Sequence, residues 1–91
     1  MLYDYSEQDR EWLWAAQIFF NTYGRPTITA GQLVEMLTLM EQNHNGQVTP
    51  IACGMWLKRT GAFKRIRGHD TNKYRPTRRF KTLCQAELSK L

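Results

Sequence analysis

The chain has 91 residues, 42% of them apolar, with three Trp, four Phe and four Tyr, which suits one hydrophobic core over residues 1–91 and excludes a disordered tail. Cys53 and Cys84 lie far apart with no CxxC and only two histidines for company, so neither a disulfide framework nor a zinc site has its expected spacing, and no cofactor or metal is expected. The net charge is +5; the acidic start lacks the basic and apolar regions of a secretory signal, and no apolar run approaches the ~18 residues of a membrane span, so a cytoplasmic or nucleoid-associated protein with no membrane partner is expected.

Ser6 followed by Asp9 forms a capping box, and Glu7, Asp9 and Glu11 place negative charge where a helix N-terminus favours it. A first helix is predicted over 6–23. Its apolar face is Trp12, Leu13, Ala16, Phe19, Phe20 and Tyr23, and Gly24 with Arg25-Pro26 ends it. Thr27-Ile28 is short and β-prone. Thr29 and Gln32 make a second capping box, opening a helix over 29–41 that buries Leu33, Val34, Met36, Leu37 and Met40. The polar run Gln42 to Gly46, which includes His44, is a turn. Thr49-Pro50 then starts a third helix over 50–60, with Cys53, Trp56, Leu57 and Thr60 on one face and Ile51, Gly54, Met55, Lys58 and Arg59 on the other. After Gly61 the pattern alternates through Phe63, Lys64, Arg65, Ile66 and Arg67, turns at 68–72 and resumes at Lys73-Tyr74-Arg75-Pro76, a β-hairpin over 62–77. Residues 78–91 form a basic segment and a short amphipathic helix carrying Leu83, Leu88 and Leu91.

Charge is divided between the halves. Residues 1–47 carry two basic and six acidic side chains, and residues 48–91 carry eleven basic and two acidic ones. Interspersed charge would serve solubility better, so the division marks a face for a polyanion. From Lys58 to Lys81 there are ten Lys or Arg and one acid, Asp70; phosphate neutralisation with counterion release needs cations at this density, and Arg can also fork onto guanine. Catalysis has no comparable support, because His69 and Asp70 are adjacent in a turn and no nucleophile is placed to join them. The acids Asp4 to Glu11 are accounted for by the helix dipole, so no enzyme and no metal site is expected.

The segments TITAGQLVEML, TPIACGMWLKRTGAFKRIR and NKYRPT resemble the second helix, the third helix running into the first wing strand, and the returning strand of winged-helix (helix-turn-helix) domains of phage and plasmid replication proteins and regulators. The linker before Thr49 is longer and more polar than the tight turn usual there. The resemblance implies an α+β winged helix-turn-helix, with a three-helix core, a C-terminal hairpin wing and a short C-terminal helix. It also implies a third helix in the major groove and a wing on the backbone. Carried onto this chain, it assigns nucleic-acid contact to Thr49, Ala52, Met55, Lys58 and Arg59 on the helix, and to Lys64, Arg65, Arg67, His69, Asn72, Lys73 and Arg75 on the wing. Their density of charge adds Arg78, Arg79 and Lys81.

The function expected is therefore binding of nucleic acid, duplex DNA first, in replication or transcription control of a phage or mobile element, alone or within a larger replication or regulatory protein. Two alternatives stand beside it, since fold alone does not assign function. One is a protein-interaction domain docking its basic face on an acidic or nucleic-acid-binding surface of a partner. The other is an RNA or single-strand binder in which Phe63, Tyr74 or Phe80 stacks on bases.

Overall fold

A computed structural model describes residues 5–43, 46–68 and 71–90. Along the chain run α1 (Glu7–Tyr23), α2 (Ala30–Leu39), α3 (Pro50–Arg59), β1 (Phe63–Arg67), β2 (Asn72–Pro76) and α4 (Arg78–Glu87), followed by a 3-10 turn at Leu88–Lys90. The class is α+β, four helices with a two-stranded antiparallel sheet.

Three helices begin at motifs that satisfy their open N–H groups. Ser6 Oγ accepts from the Asp9 N–H at 3.1 Å while the Ser6 N–H donates to Asp9 Oδ2 at 2.9 Å. Thr29 and Gln32 repeat the exchange at the start of α2, at 3.1 and 2.9 Å. Thr49 Oγ1 accepts from the Ala52 N–H at 3.2 Å, with Pro50 at the first helical position. α1 ends at Gly24, whose φ of 60° lies in the left-handed region that glycine enters without a Cβ clash.

α2 stops at Leu39, short of the expected end at 41, because Glu41 adopts a φ of 59° that no right-handed helix can continue through. The polar linker is then strapped back on α2: Asn43 Nδ2 donates to Thr38 Oγ1 at 3.1 Å, and Asn43 Oδ1 accepts from the Val48 N–H at 2.9 Å. Asn43 thus ties the end of α2 to Val48, the residue before Thr49. His44 lies outside the described residues.

Leu13, Ile28, Leu33, Leu37, Cys53 and Leu57 are fully buried between the first three helices. Around them aromatic rings link the elements in a closed path: Trp12 to Trp56 at 5.4 Å, Trp56 to Phe63 at 5.9 Å, Phe63 to Phe80 at 5.1 Å and Phe80 back to Phe20 of α1 at 5.6 Å. Offset and edge-on pairs of this kind contribute about 0.5–1.5 kcal/mol each beyond their area. Two expectations need correction here. Phe80, assigned to a basic segment, is the core anchor of α4 along with Leu83 and Cys84. Phe63, Tyr74 and Phe80, considered as platforms for stacked bases, are all buried and have no face to offer.

The hairpin pairs Phe63 with Pro76, Lys64 with Arg75, Arg65 with Tyr74, Ile66 with Lys73 and Arg67 with Asn72. On its other edge β2 exchanges two backbone hydrogen bonds with Ile28, each 2.9 Å, through Tyr74. This bridge fixes the hairpin beside the start of α2. Pro76, which has no N–H to give, sits at the last position of β2 where the ladder needs none.

Candidate nucleic-acid interface

The exposed side of α3 is determined by what its other side buries. Cys53, Trp56, Leu57 and Thr60 turn into the core, so Ile51, Met55 and Lys58 form the outward stripe, with Ile51 and Met55 leaving 77% and 64% of their surface in solvent. An open groove of about 600 Å³ lies between this stripe, the first turn of α2 and the start of the returning strand. Ala30 and Gly31 form one wall, Ile51, Gly54, Met55 and Lys58 the second, and Thr71, Asn72 and Tyr74 the third.

Because side chains alternate along a strand and opposed residues share a face, the register sorts the hairpin cations into two groups. Arg65 and Arg67 lie on the face of Tyr74 and Asn72, the residues that wall the groove, whereas Lys64, Lys73 and Arg75 lie on the opposite face with Ile66. On that opposite face Lys64 stands directly across from Arg75, an arrangement that costs stability. Of the ten Lys and Arg from Lys58 to Lys81, only Arg59 is ion-paired among the described residues. The other nine have no acidic partner there.

Arg59 is placed differently from its neighbour Lys58. Its guanidinium stands 3.8 Å from Asp9 Oδ1 and lies on the α1 side of the helix, by Gln8 and Trp12. Asp9 is itself buried and also accepts from the Trp56 indole N–H at 2.8 Å, so one carboxylate caps α1, anchors the core face of α3 and draws Arg59 away from the groove. Thr49 is exposed, and its Oγ1 accepts from the Ala52 N–H. Ala52 is half-buried on the same α1 side. Arg78 and Lys81 flank a separate hollow with Gln17 and Asn21 of α1, and Arg79 lies against Gly61. His69 lies outside the described residues. Lys58 and Asn72 are therefore the predicted contact residues that wall the groove together with Met55, and Arg65 and Arg67 pair with the wall residues Tyr74 and Asn72. Ile51 and Thr71 also wall it and were not among the residues expected to touch nucleic acid. The spacing Ile51, Met55, Lys58 opposite a buried Cys53, Trp56, Leu57 stripe carried that signal for Ile51.

Elsewhere titratable groups serve the fold. Burial pushes the Cys53 thiol up to about 12 and the Cys84 thiol to about 11, leaving both protonated and poorly nucleophilic. Burial also acts to raise the Glu87 carboxyl, but hydrogen bonds and charge from Lys90 at 3.2 Å and Arg10 at 3.1 Å outweigh it and hold the group below its ordinary value. Among the described residues no three His, Cys, Asp or Glu side chains are grouped to hold a metal ion, and no helix is long and apolar enough to cross a membrane. In comparisons with known proteins the chain matches no family model, no curated protein and no solved structure.

Proposed function

We propose that the chain is a winged helix-turn-helix module that binds duplex DNA, with the α3 stripe entering the groove of the duplex and the hairpin lying along the flanking backbone. The observation that carries this reading is the set of nine cations without an acidic partner among the described residues, including the opposed pair Lys64 and Arg75. Cations held in this way weaken the free domain and gain their return when phosphates neutralise them. Double strands are favoured over single ones because Phe63, Tyr74 and Phe80, the rings beside the hairpin's cations, are buried, and the exposed rings Trp14 and Tyr23 lie on α1. A bridge at Ile28 that adds a third extended segment to the hairpin, with α3 leading directly into β1, supports the winged-helix assignment.

A second reading is favoured by one observation. Ile51 and Met55 expose apolar surface of the kind that protein interfaces cover. The two readings separate in a salt titration of binding to duplex DNA, single-stranded DNA and RNA of equal length. Duplex binding should be tightest, with affinity falling as salt rises at a slope of about −0.9 for each phosphate neutralised. Absence of duplex binding, or duplex binding that does not respond to salt, would reject the DNA reading.

A further inference from the structure

We infer that α3 reads the C5 methyl groups of thymine, so that the protein prefers duplex in which base pairs two apart present methyls in the major groove. This rests on the duplex-binding reading and specifies its substrate.

The starting point is the inventory of hydrogen-bonding groups on the exposed stripe. Reading guanine from a helix calls for Arg or Lys, and reading adenine for Asn or Gln, directed at the base edge. The stripe offers one such group, Lys58 at its C-terminal end. Its members are Ile51, Gly54, Met55 and Lys58; Thr49 Oγ1 before it accepts the Ala52 N–H, and the one guanidinium of α3, Arg59, stands 3.8 Å from Asp9 on the other side of the helix. Asn72, the carboxamide of the groove, belongs to the wing.

What the stripe otherwise offers is apolar, since Ile51 and Met55 are 77% and 64% exposed in the free protein. In the major groove the apolar feature of a base edge is the thymine methyl. Residues four apart on a helix are separated by about 6 Å along its axis, close to two base-pair steps of about 3.4 Å each, so the two side chains can meet methyls two base pairs apart. Charge selects the occupant. Lys58 stands at the end of the stripe, Arg65 and Arg67 pair with Tyr74 and Asn72 of the groove's third wall, and no acid is among the described residues of the groove's walls. An apolar protein surface laid over Ile51 and Met55 would desolvate these cations without a partner, whereas a duplex supplies methyls inside and phosphates at the rim.

The test compares an alternating A·T duplex with its deoxyuridine counterpart, which keeps the pairing and the O4 acceptor and removes only the methyl. Affinity should fall about fourfold for each methyl that a side chain no longer meets, the equivalent of one buried carbon group, with the salt slope unchanged. The Ile51→Ala, Met55→Ala double variant changes two exposed side chains, so it should melt with the parent and bind the thymine and uracil duplexes equally. That control separates methyl recognition from any change in duplex shape. A G·C duplex carrying 5-methylcytosine should bind the parent more tightly than its unmethylated form. Equal affinity of the parent for thymine and uracil duplexes, with the salt slope intact, overturns the methyl reading and leaves duplex binding standing. Failure to bind any duplex overturns both.

Discussion

On α1, Asp9 is buried, caps its own helix, accepts the Trp56 indole N–H and lies close to Arg59. On the hairpin, Lys64 faces Arg75 across the ladder, and neither meets an acid among the described residues. The charge of α1 works inside the fold: removing it would leave a buried donor unsatisfied. The charge of the hairpin works against the fold, because like charges directly opposed are destabilising. In the proposed reading this charge has its use outside the domain, on a bound duplex. The comparison therefore predicts that substitutions in the first region change stability and leave binding alone, and that substitutions in the second do the reverse.

The largest stability effect belongs to the core beneath α1. Leu37 has no exposed surface, and Leu37→Ala should cost about 2–5 kcal/mol, lowering Tm by about 8 °C or more for a domain of this size. A variant that melts within a few degrees of the parent would remove α2 from the core. Next comes Asp9→Ala, which strands the buried Trp56 N–H and dismantles the capping box, at about 1–3 kcal/mol by denaturant unfolding. Asp9→Asn keeps an acceptor for the indole and should recover part of that loss. Equal losses for the two would mean that the charge near Arg59, and not the hydrogen bonds, carries the effect.

On the hairpin the sign reverses. Arg75→Glu turns the opposed pair with Lys64 into an attractive one and should raise stability by about 0.2–1 kcal/mol while weakening DNA binding. A destabilised Arg75→Glu would show that Arg75 holds the sheet. The smallest effect is that of Glu87, whose folded carboxyl is held below its ordinary value by Lys90 and Arg10 against the opposing effect of burial. A depressed carboxylate contributes stability above its unfolded pKa of about 4.3 and loses it as pH falls through the folded value. Glu87→Gln should thus be slightly less stable than the parent at neutral pH and indistinguishable from it in strong acid, and a gap that persists in strong acid would assign the loss to packing.

How far this contrast could be read from the chain depended on range. Ser6 with Asp9, Thr29 with Gln32 and Thr49 with Pro50 are interactions within one helical turn, and the helix starts they imply are the ones found. The charge division and the hairpin alternation are equally local, so Lys64 and Ile66 separate from Arg65 and Arg67 as the two-residue period requires. The α2 end moved because an αL residue at Glu41, a non-glycine, has no dependable local signature. What involved distant partners was hidden: the second role of Asp9 at Trp56, the bridge between Ile28 and Tyr74, and the burial of Phe80 against Phe63 and Phe20. Phe80 lies among Arg78, Arg79 and Lys81, and that polar company concealed a core position. Within the interface, the cations of the hairpin were visible, but the turning of Arg59 toward Asp9 was not, since it depends on how α3 packs on α1.

The central claim, that the hairpin's cations serve a bound duplex and not the fold, is tested most directly by the salt dependence of the Arg65→Ala, Arg67→Ala, Lys73→Ala, Arg75→Ala variant on duplex DNA, with its melting recorded in the same buffer. The account predicts a domain at least as stable as the parent, weaker binding to all sequences alike, and a slope of log affinity against log salt flattened by about 0.9 for each phosphate no longer neutralised. An unchanged salt slope, or a variant that unfolds, would contradict it.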